Sequence, residues 1–344
     1  MADQYAPLDR EALRRLPKVE LHVHLEGTFS VDRIVAIAQE LGEPLPRPVA
    51  DLFSFDDLAE FLDFLDWTCA LIRTPQIAAD VAHDFAIRAA RNGTLYAEVI
   101  INPTHWKGWD LGQLVEALTV GFERAQSEGL TECHLLLSIL RSQSSDQAVE
   151  LVTWMGEYRP RRVVGLSIDG DEARAGRTGS RFTEAFALAG EFGFGRTAHA
   201  GESSGPEGVR DAIFLLCVDR IDHGTRAVDD ADLLQILAGR KITLNVCPTS
   251  NLVHLYRDLA SHPFPRLFAA DVAMTINTDD PGYLDTELVD EFTKVAGLMK
   301  WGLADLAAVT RIGIDASFAP ASTKAGLHAA VDAYLAALAE DDRT

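Results

Sequence analysis

The chain has 344 residues, a formal net charge of −21 and a hydrophobic fraction of 47%, the balance of a soluble globular protein with a large core. So acidic a chain is repelled by nucleic acid and by anionic membranes, and neither is expected as a partner; a small neutral substrate is not excluded. The length fits one α/β barrel domain over residues 1–344.

The opening stretch MADQYAPLDREALRRLPK holds no apolar h-region, so no secretory leader is expected. No stretch approaches the roughly 20 apolar residues of a membrane span. Cys69, Cys133, Cys217 and Cys247 lie far apart and form no CxxC pair, which argues against a disulfide framework and against a thiolate zinc site. A reduced, cytoplasmic protein is expected, of unknown oligomeric state.

In chain order, eight short β-branched or apolar runs read as strands: 19–25, 94–102, 132–140, 163–169, 197–200, 220–223, 242–246 and 273–278. Helical patterns lie between them, among them Leu111–Ser127 and 229–238. Strands alternating with helices predict a parallel sheet, and eight such units predict a closed (β/α)8 TIM barrel. About 70 residues separate the first two strands, more than one crossover helix requires. The excess includes 53–67, where Leu58, Phe61, Leu62 and Leu65 recur at helical spacing. This predicts an extra helical segment over the C-terminal mouth of the barrel. Its apolar stripe reads as core, as a wall of the substrate pocket, or as both on different faces.

His22 and His24 stand two apart on the first predicted strand, so both imidazoles point to one side and reach one ion. Alone, such a pair is weak. His199 ends the fifth predicted strand, with Glu202 just beyond it; His223 ends the sixth; Asp279 and Asp280 end the eighth. Every one of these groups falls at the C-terminal end of a predicted strand, the face on which such barrels assemble active sites. Structural charges would be scattered over helices and both faces.

Nitrogen and carboxylate ligands together suit Zn2+. The fourth predicted strand, Val-Val-Gly-Leu-Ser-Ile-Asp-Gly, has no lysine to bridge two ions, which points to one Zn2+ per chain. His83, His105, His134, His254 and His262 have no such companions and read as ordinary surface or core histidines.

With these residues in view the chain resembles the adenosine deaminase family of metal hydrolases. The resemblance runs from Pro17 to the last helices. It is carried by Pro-Lys-Val-Glu-Leu-His-Val-His-Leu-Glu-Gly at 17–27, Gly170-Asp171-Glu172, His199-Ala200-Gly201-Glu202, Arg220-Ile221-Asp222-His223-Gly224, Cys247-Pro248-Thr249-Ser250-Asn251 and Asn277-Thr278-Asp279-Asp280-Pro281. It implies that His22, His24, His199 and Asp279 hold Zn2+ and that Glu202 donates a proton to purine N1. It further implies that His223 orients the attacking water, that Asp280 binds N7, and that the Gly170 backbone meets the ring near N3.

The implied roles are chemically coherent. Attack at C6 of an aminopurine breaks ring aromaticity, and a proton on N1 lets the ring accept the incoming negative charge. Purine N1 and N7 are acceptors, so Glu202 and Asp280 must carry protons if they bond these atoms directly. The H-x-E with P-C-x-x-C signature of the cytidine-deaminase type is absent.

The substrate within the class is divided by the same comparison. Glu26 stands where many adenosine deaminases carry an Asp against the ribose, and both Glu26 and Asp222 resemble the adenine-specific branch. Gly170-Asp171-Glu172 resembles the nucleoside branch. The expectation is adenosine, with adenine or a modified adenine nucleoside as the alternative. Two other classes remain: an amide- or ester-cleaving amidohydrolase, and an inactive relative that only binds. An ester needs no proton donor for a ring nitrogen, and no metal ligand is missing.

Overall fold

The structure is a computed structural model that describes residues 8–55 and 58–341. Its strands are all parallel. β1 (Lys18–His24), β2 (Thr94–Ile101), β3 (Glu132–Leu140), β4 (Val163–Asp169) and β5 (Gly195–Arg196) pair in that order. β6 (His199–Ala200), β7 (Arg220–His223), β8 (Thr243–Val246) and β9 (Met274–Ile276) pair in a second run.

β5 and β6 are the two ends of one stave. Between them Thr197 N donates to Leu166 O and Ala198 O accepts from Asp222 N, both at 2.9 Å, so the stave stays bonded to both neighbours across its break. The last strand meets the first through a parallel bridge, Val23 to Asp279. There His24 N donates to Asp279 O at 2.9 Å and Asp279 N to His22 O at 3.2 Å. The eight staves and the helices between them form a (β/α)8 barrel.

Parallel strands flanked by helices are buried on both faces and need not alternate. β1 shows this: Val19, Leu21 and Val23 are buried, and so are Lys18, Glu20 and His22 on the other face. Glu20 and Arg220 show how interior polar groups find partners. Glu20 accepts from Thr278 Oγ1 at 2.6 Å, and Arg220 meets Glu98 at 2.5 Å. Such pairing is what keeps buried polar groups from costing their full desolvation.

The sequence-based strand bounds hold to within a few residues, except that 197–200 is interrupted. The helix Leu111–Ser127 is found as read, and 229–238 appears as the helix Ala231–Arg240 after a short 3-10 turn. Among the described residues the β1–β2 connection carries three α-helices, Val31–Leu41, Leu58–Ala70 and Pro75–Arg91. Of the extra segment, residues 56 and 57 and the Leu58 side chain lie outside the described residues. Beyond them, Phe64 and Leu65 are buried while Phe61 and Leu62 are half-buried. The rings of Phe53, Phe61 and Phe64 lie 4.8, 5.4 and 5.8 Å from that of Tyr283. Because Tyr283 follows Asp280 by three residues, the extra helix packs on the loop past the last strand, at the mouth. No helix among the described residues is long and apolar enough to cross a membrane.

Candidate functional site

The groups expected at the strand ends converge. His22 is fully buried, with Nε2 3.0 Å from Asp279 Oδ1 and Nδ1 3.0 Å from Asp222 Oδ1. His24 Nε2 lies 3.1 Å from His199 Nε2 and 3.5 Å from Asp279 Oδ1. His199 Nδ1 faces Ile168 O at 2.9 Å. The donor atoms of His22, His199, His223 and Asp279 all lie within 4.8 Å of one another, a group that takes in His223 in place of the expected His24.

Four ligands at about 2.0–2.1 Å around a tetrahedral ion stand about 3.3 Å apart, close to the separations found. The outer nitrogens of His22 and His199 face a carboxylate and a carbonyl, so that each inner Nε2 is turned toward the other donors of the site. The donor set therefore fits a divalent metal. The electrostatics agree. Burial alone lowers the His22 pKa, but Asp222 and Asp279 on its two sides outweigh this and raise it to about 10. Burial opposes charge on Asp279, yet His22 and His223 hold its carboxyl well below the usual range. Acidic neighbours thus favour a positive charge at His22, whereas burial lowers the pKa of His24 and His199.

Two of the strand-end residues bend the chain into the site. His223 has φ 61° and Asp279 φ 67°, left-handed values that cost a non-glycine residue on the order of 1–3 kcal/mol. His223 Nε2 then lies 3.7 Å from Glu202 Oε1 and 3.8 Å from Asp279 Oδ2.

Glu202 sits in the loop after β6. Burial raises its pKa; His223 opposes this, and Asp279 and Glu172 add to it. Asp280 is pushed well above the carboxylate range by burial and by the adjacent Asp279. Its place requires Gly27, because a Cβ there would stand 1.8 Å from Asp280 Oδ1. Glu26 is buried, with Oε1 accepting from Trp106 Nε1 at 2.7 Å and from Asn102 N at 2.8 Å. Its Oε2 has no partner among the described residues, and burial raises its pKa to about 7 against the pull of His105 and Trp106. Gly170 directly follows β4, left-handed at φ 94°, beside Arg141.

Several residues at the site were not singled out for a role from sequence. Asp222 joins His22 to Asn245, whose Nδ2 donates to it at 2.8 Å. Glu172 holds the Gly201–Ser204 loop. Arg141, buried, donates to His199 O and, at 2.6 Å, to Thr178 Oγ1. The signal for Asp222 was there, next to His223, but strand alternation assigns neighbours to opposite faces. The left-handed turn at His223 defeats that rule.

Of the histidines read as ordinary, His83, His105 and His134 pair with Glu128, Asp66 and Glu132 at 2.7–2.8 Å. The His254 side chain lies outside the described residues. His262 is a core histidine, buried and bonded through Asn251 to His223.

The family model for adenosine deaminase matches residues 17–334. The chain is 34% identical over 334 residues to an adenine deaminase of Cupriavidus taiwanensis, covering 95% of this chain and 94% of that one. It is 38% identical over 306 residues to an aminodeoxyfutalosine deaminase of Acidothermus cellulolyticus, covering 85% of each. The crystal structure of an amidohydrolase from Burkholderia ambifaria with bound Zn superposes with a TM-score of 0.89 at 30% identity, over 99% of this chain and 96% of that one. The chain belongs to the adenosine deaminase family, and it is a hydrolase of the purine deaminase type.

Proposed function

We propose that this protein is a zinc-dependent deaminase of a 6-aminopurine, and that its substrate is free adenine, converted to hypoxanthine and ammonia. The observation that carries this reading is that two half-buried carboxyl groups whose pKa values are raised, Glu202 and Asp280, flank the donors of His22, His24, His199 and Asp279. An ester presents no pair of ring nitrogens for two such acids to bond.

In this reading His22, His24, His199 and Asp279 hold one Zn2+, which supplies the Lewis acidity that makes water nucleophilic near neutral pH. Glu202 donates its proton to N1 as oxygen attacks C6. Asp280 keeps its proton to bond N7, and burial beside Asp279 shifts its pKa in the direction that favours this. His223 faces the attacking oxygen. Gly170, at the end of β4, presents backbone toward N3.

The choice of adenine departs from the expectation of adenosine. That expectation leaned on Gly170-Asp171-Glu172, but both Glu172 oxygens are occupied by the Gly201–Ser204 loop. Glu26 supports the free base. Its unpartnered Oε2 is an acceptor for the imidazole N–H that free adenine carries and a nucleoside lacks. The adenine deaminase name of the Cupriavidus relative agrees. A second reading, deamination of a modified adenine nucleoside, is favoured by the 38% identity to an aminodeoxyfutalosine deaminase.

The test is kcat/KM for adenine, adenosine and an adenine nucleoside modified on the sugar, followed by ammonia release. Adenine is expected to lead by tenfold or more, about 1.4 kcal/mol of transition-state binding. A nucleoside in the lead would remove the adenine assignment alone. Zinc-replete protein that releases no ammonia from any 6-aminopurine would remove the class.

A further inference from the structure

Asn251 and His262 play no part in the reading above, yet they lead from the backbone to His223 by an unbroken line of hydrogen bonds. Phe264 N donates to His262 Nδ1 at 3.1 Å. His262 Nε2 lies 3.2 Å from Asn251 Oδ1, and Asn251 Nδ2 lies 3.1 Å from His223 Nδ1. Asn251 and His223 are 0% exposed and His262 is 3% exposed, so water does not compete for these bonds.

The line has a direction. A backbone N–H can only donate, so His262 Nδ1 is bare. A neutral imidazole with a bare Nδ1 carries its proton on Nε2. Burial keeps this ring neutral, lowering its pKa to about 4. His262 Nε2–H therefore donates to Asn251, which must present its oxygen there. The Asn251 amide then has its NH2 toward His223, and His223 Nδ1 accepts. The only place left for the His223 proton is Nε2. That nitrogen is buried, has no hydrogen-bond partner among the described residues, and stands between Glu202 and Asp279.

We propose that Asn251 and His262 are positioning residues that lock His223 as its Nε2–H tautomer, so that this ring meets the attacking oxygen as a hydrogen-bond donor. The tautomer follows from the protein alone; only its use at the attacking oxygen rests on the deaminase reading. A donor already aimed where negative charge develops requires no reorganisation during the reaction. The reverse tautomer would turn a lone pair toward Glu202, Asp279 and the oxygen.

The test uses zinc-loaded protein with 15N-labelled histidine, in which the ring-nitrogen and ring-proton correlations report which nitrogen carries the proton. His223→Gln assigns the His223 signals by their loss. In the parent protein His223 is expected to be protonated at Nε2 and bare at Nδ1, and a proton on Nδ1 overturns the proposal without need of any variant. Asn251→Asp has the same shape but accepts on both sides, so it should draw a proton onto His223 Nδ1. With it kcat should fall about 10²–10³-fold, the cost of a lost oxyanion donor, while KM moves little. An Asn251→Asp protein with Nδ1 still bare and kcat intact would also overturn it. If no aminopurine is deaminated, the class reading falls and the spectrum still decides the tautomer.

Discussion

Glu172, 3% exposed just past β4, accepts the backbone N–H of Glu202 at 2.8 Å. The same carboxylate accepts Gly201 N at 3.1 Å and Ser204 Oγ at 2.9 Å. Arg141 stands 3.8 Å away as its nearest cation. One buried carboxylate thus clamps the loop that carries the proposed acid. Glu172→Gln keeps the volume but replaces an acceptor oxygen by an NH2 that repels these donors. We expect zinc content to be unchanged and kcat to fall on the order of 10–10²-fold, since small misplacements at a reacting centre cost that much. Metal analysis alongside steady-state kinetics checks it; an unimpaired kcat would mean that Glu202 is placed by other contacts.

The ligand set predicts one zinc per chain. Protein purified without added metal should carry about one equivalent. His199→Ala removes a donor whose outer nitrogen is already fixed on Ile168 O, and it should lose both metal and activity. Elemental analysis giving two equivalents, or full activity after chelation, would rule out the mononuclear site.

Glu202→Gln separates coordination from proton transfer. Its Oε1 stands 3.7 Å from His223 Nε2, and Glu202 is not one of the proposed ligands. The variant should keep its zinc and lose turnover by about 10²–10⁴-fold, the range for a removed general acid. Loss of zinc in the purified variant would make Glu202 a ligand instead.

Glu26→Asp shortens the side chain held by Trp106 and Asn102. If Glu26 excludes the sugar and serves the free base, the variant should lose kcat/KM for adenine and gain it for adenosine relative to adenine. The ratio of the two is the measurement. A ratio that stays fixed would free Glu26 from any part in specificity.

His262 predicts a pH dependence of stability. Burial lowers its pKa from 6.5 to about 4. The unfolded chain takes up the proton near pH 6.5, whereas the native ring takes it up only near pH 4. Its contribution is therefore full above pH 6.5 and is lost as pH falls toward 4, to a maximum of about 3 kcal/mol. Denaturant unfolding at pH 7 and pH 4.5 should show a larger acid loss in the parent than in His262→Gln. Equal losses would show that His262 is not buried as a neutral ring.

The barrel and most of its site could be read from the chain because their signals are local. His22 and His24 share a face through the two-residue repeat of a strand, and His199, His223 and Asp279 each end a recognisable apolar run. Glu26 and Asp222 already pointed to the base-specific branch, although Gly170-Asp171-Glu172 outweighed them in the expectation. What could not be read depends on contacts between distant segments or on backbone that breaks the repeat. His22 and Asp279 are 257 residues apart and meet only because the last strand closes on the first.

The sequence by itself determined the strand ends and the chemical types of group carried on them, since strand alternation and helix periodicity are properties of neighbouring residues. Only the tertiary structure decided how those groups are supported. It turned His223 and Asp279 inward through left-handed backbone, placed Asp222 behind His22, committed Glu172 to the Glu202 loop and tied His262 to His223 through Asn251. The last three rest on polar contacts between segments that no local pattern pairs, and hydrogen-bond direction is a property of the assembled partners.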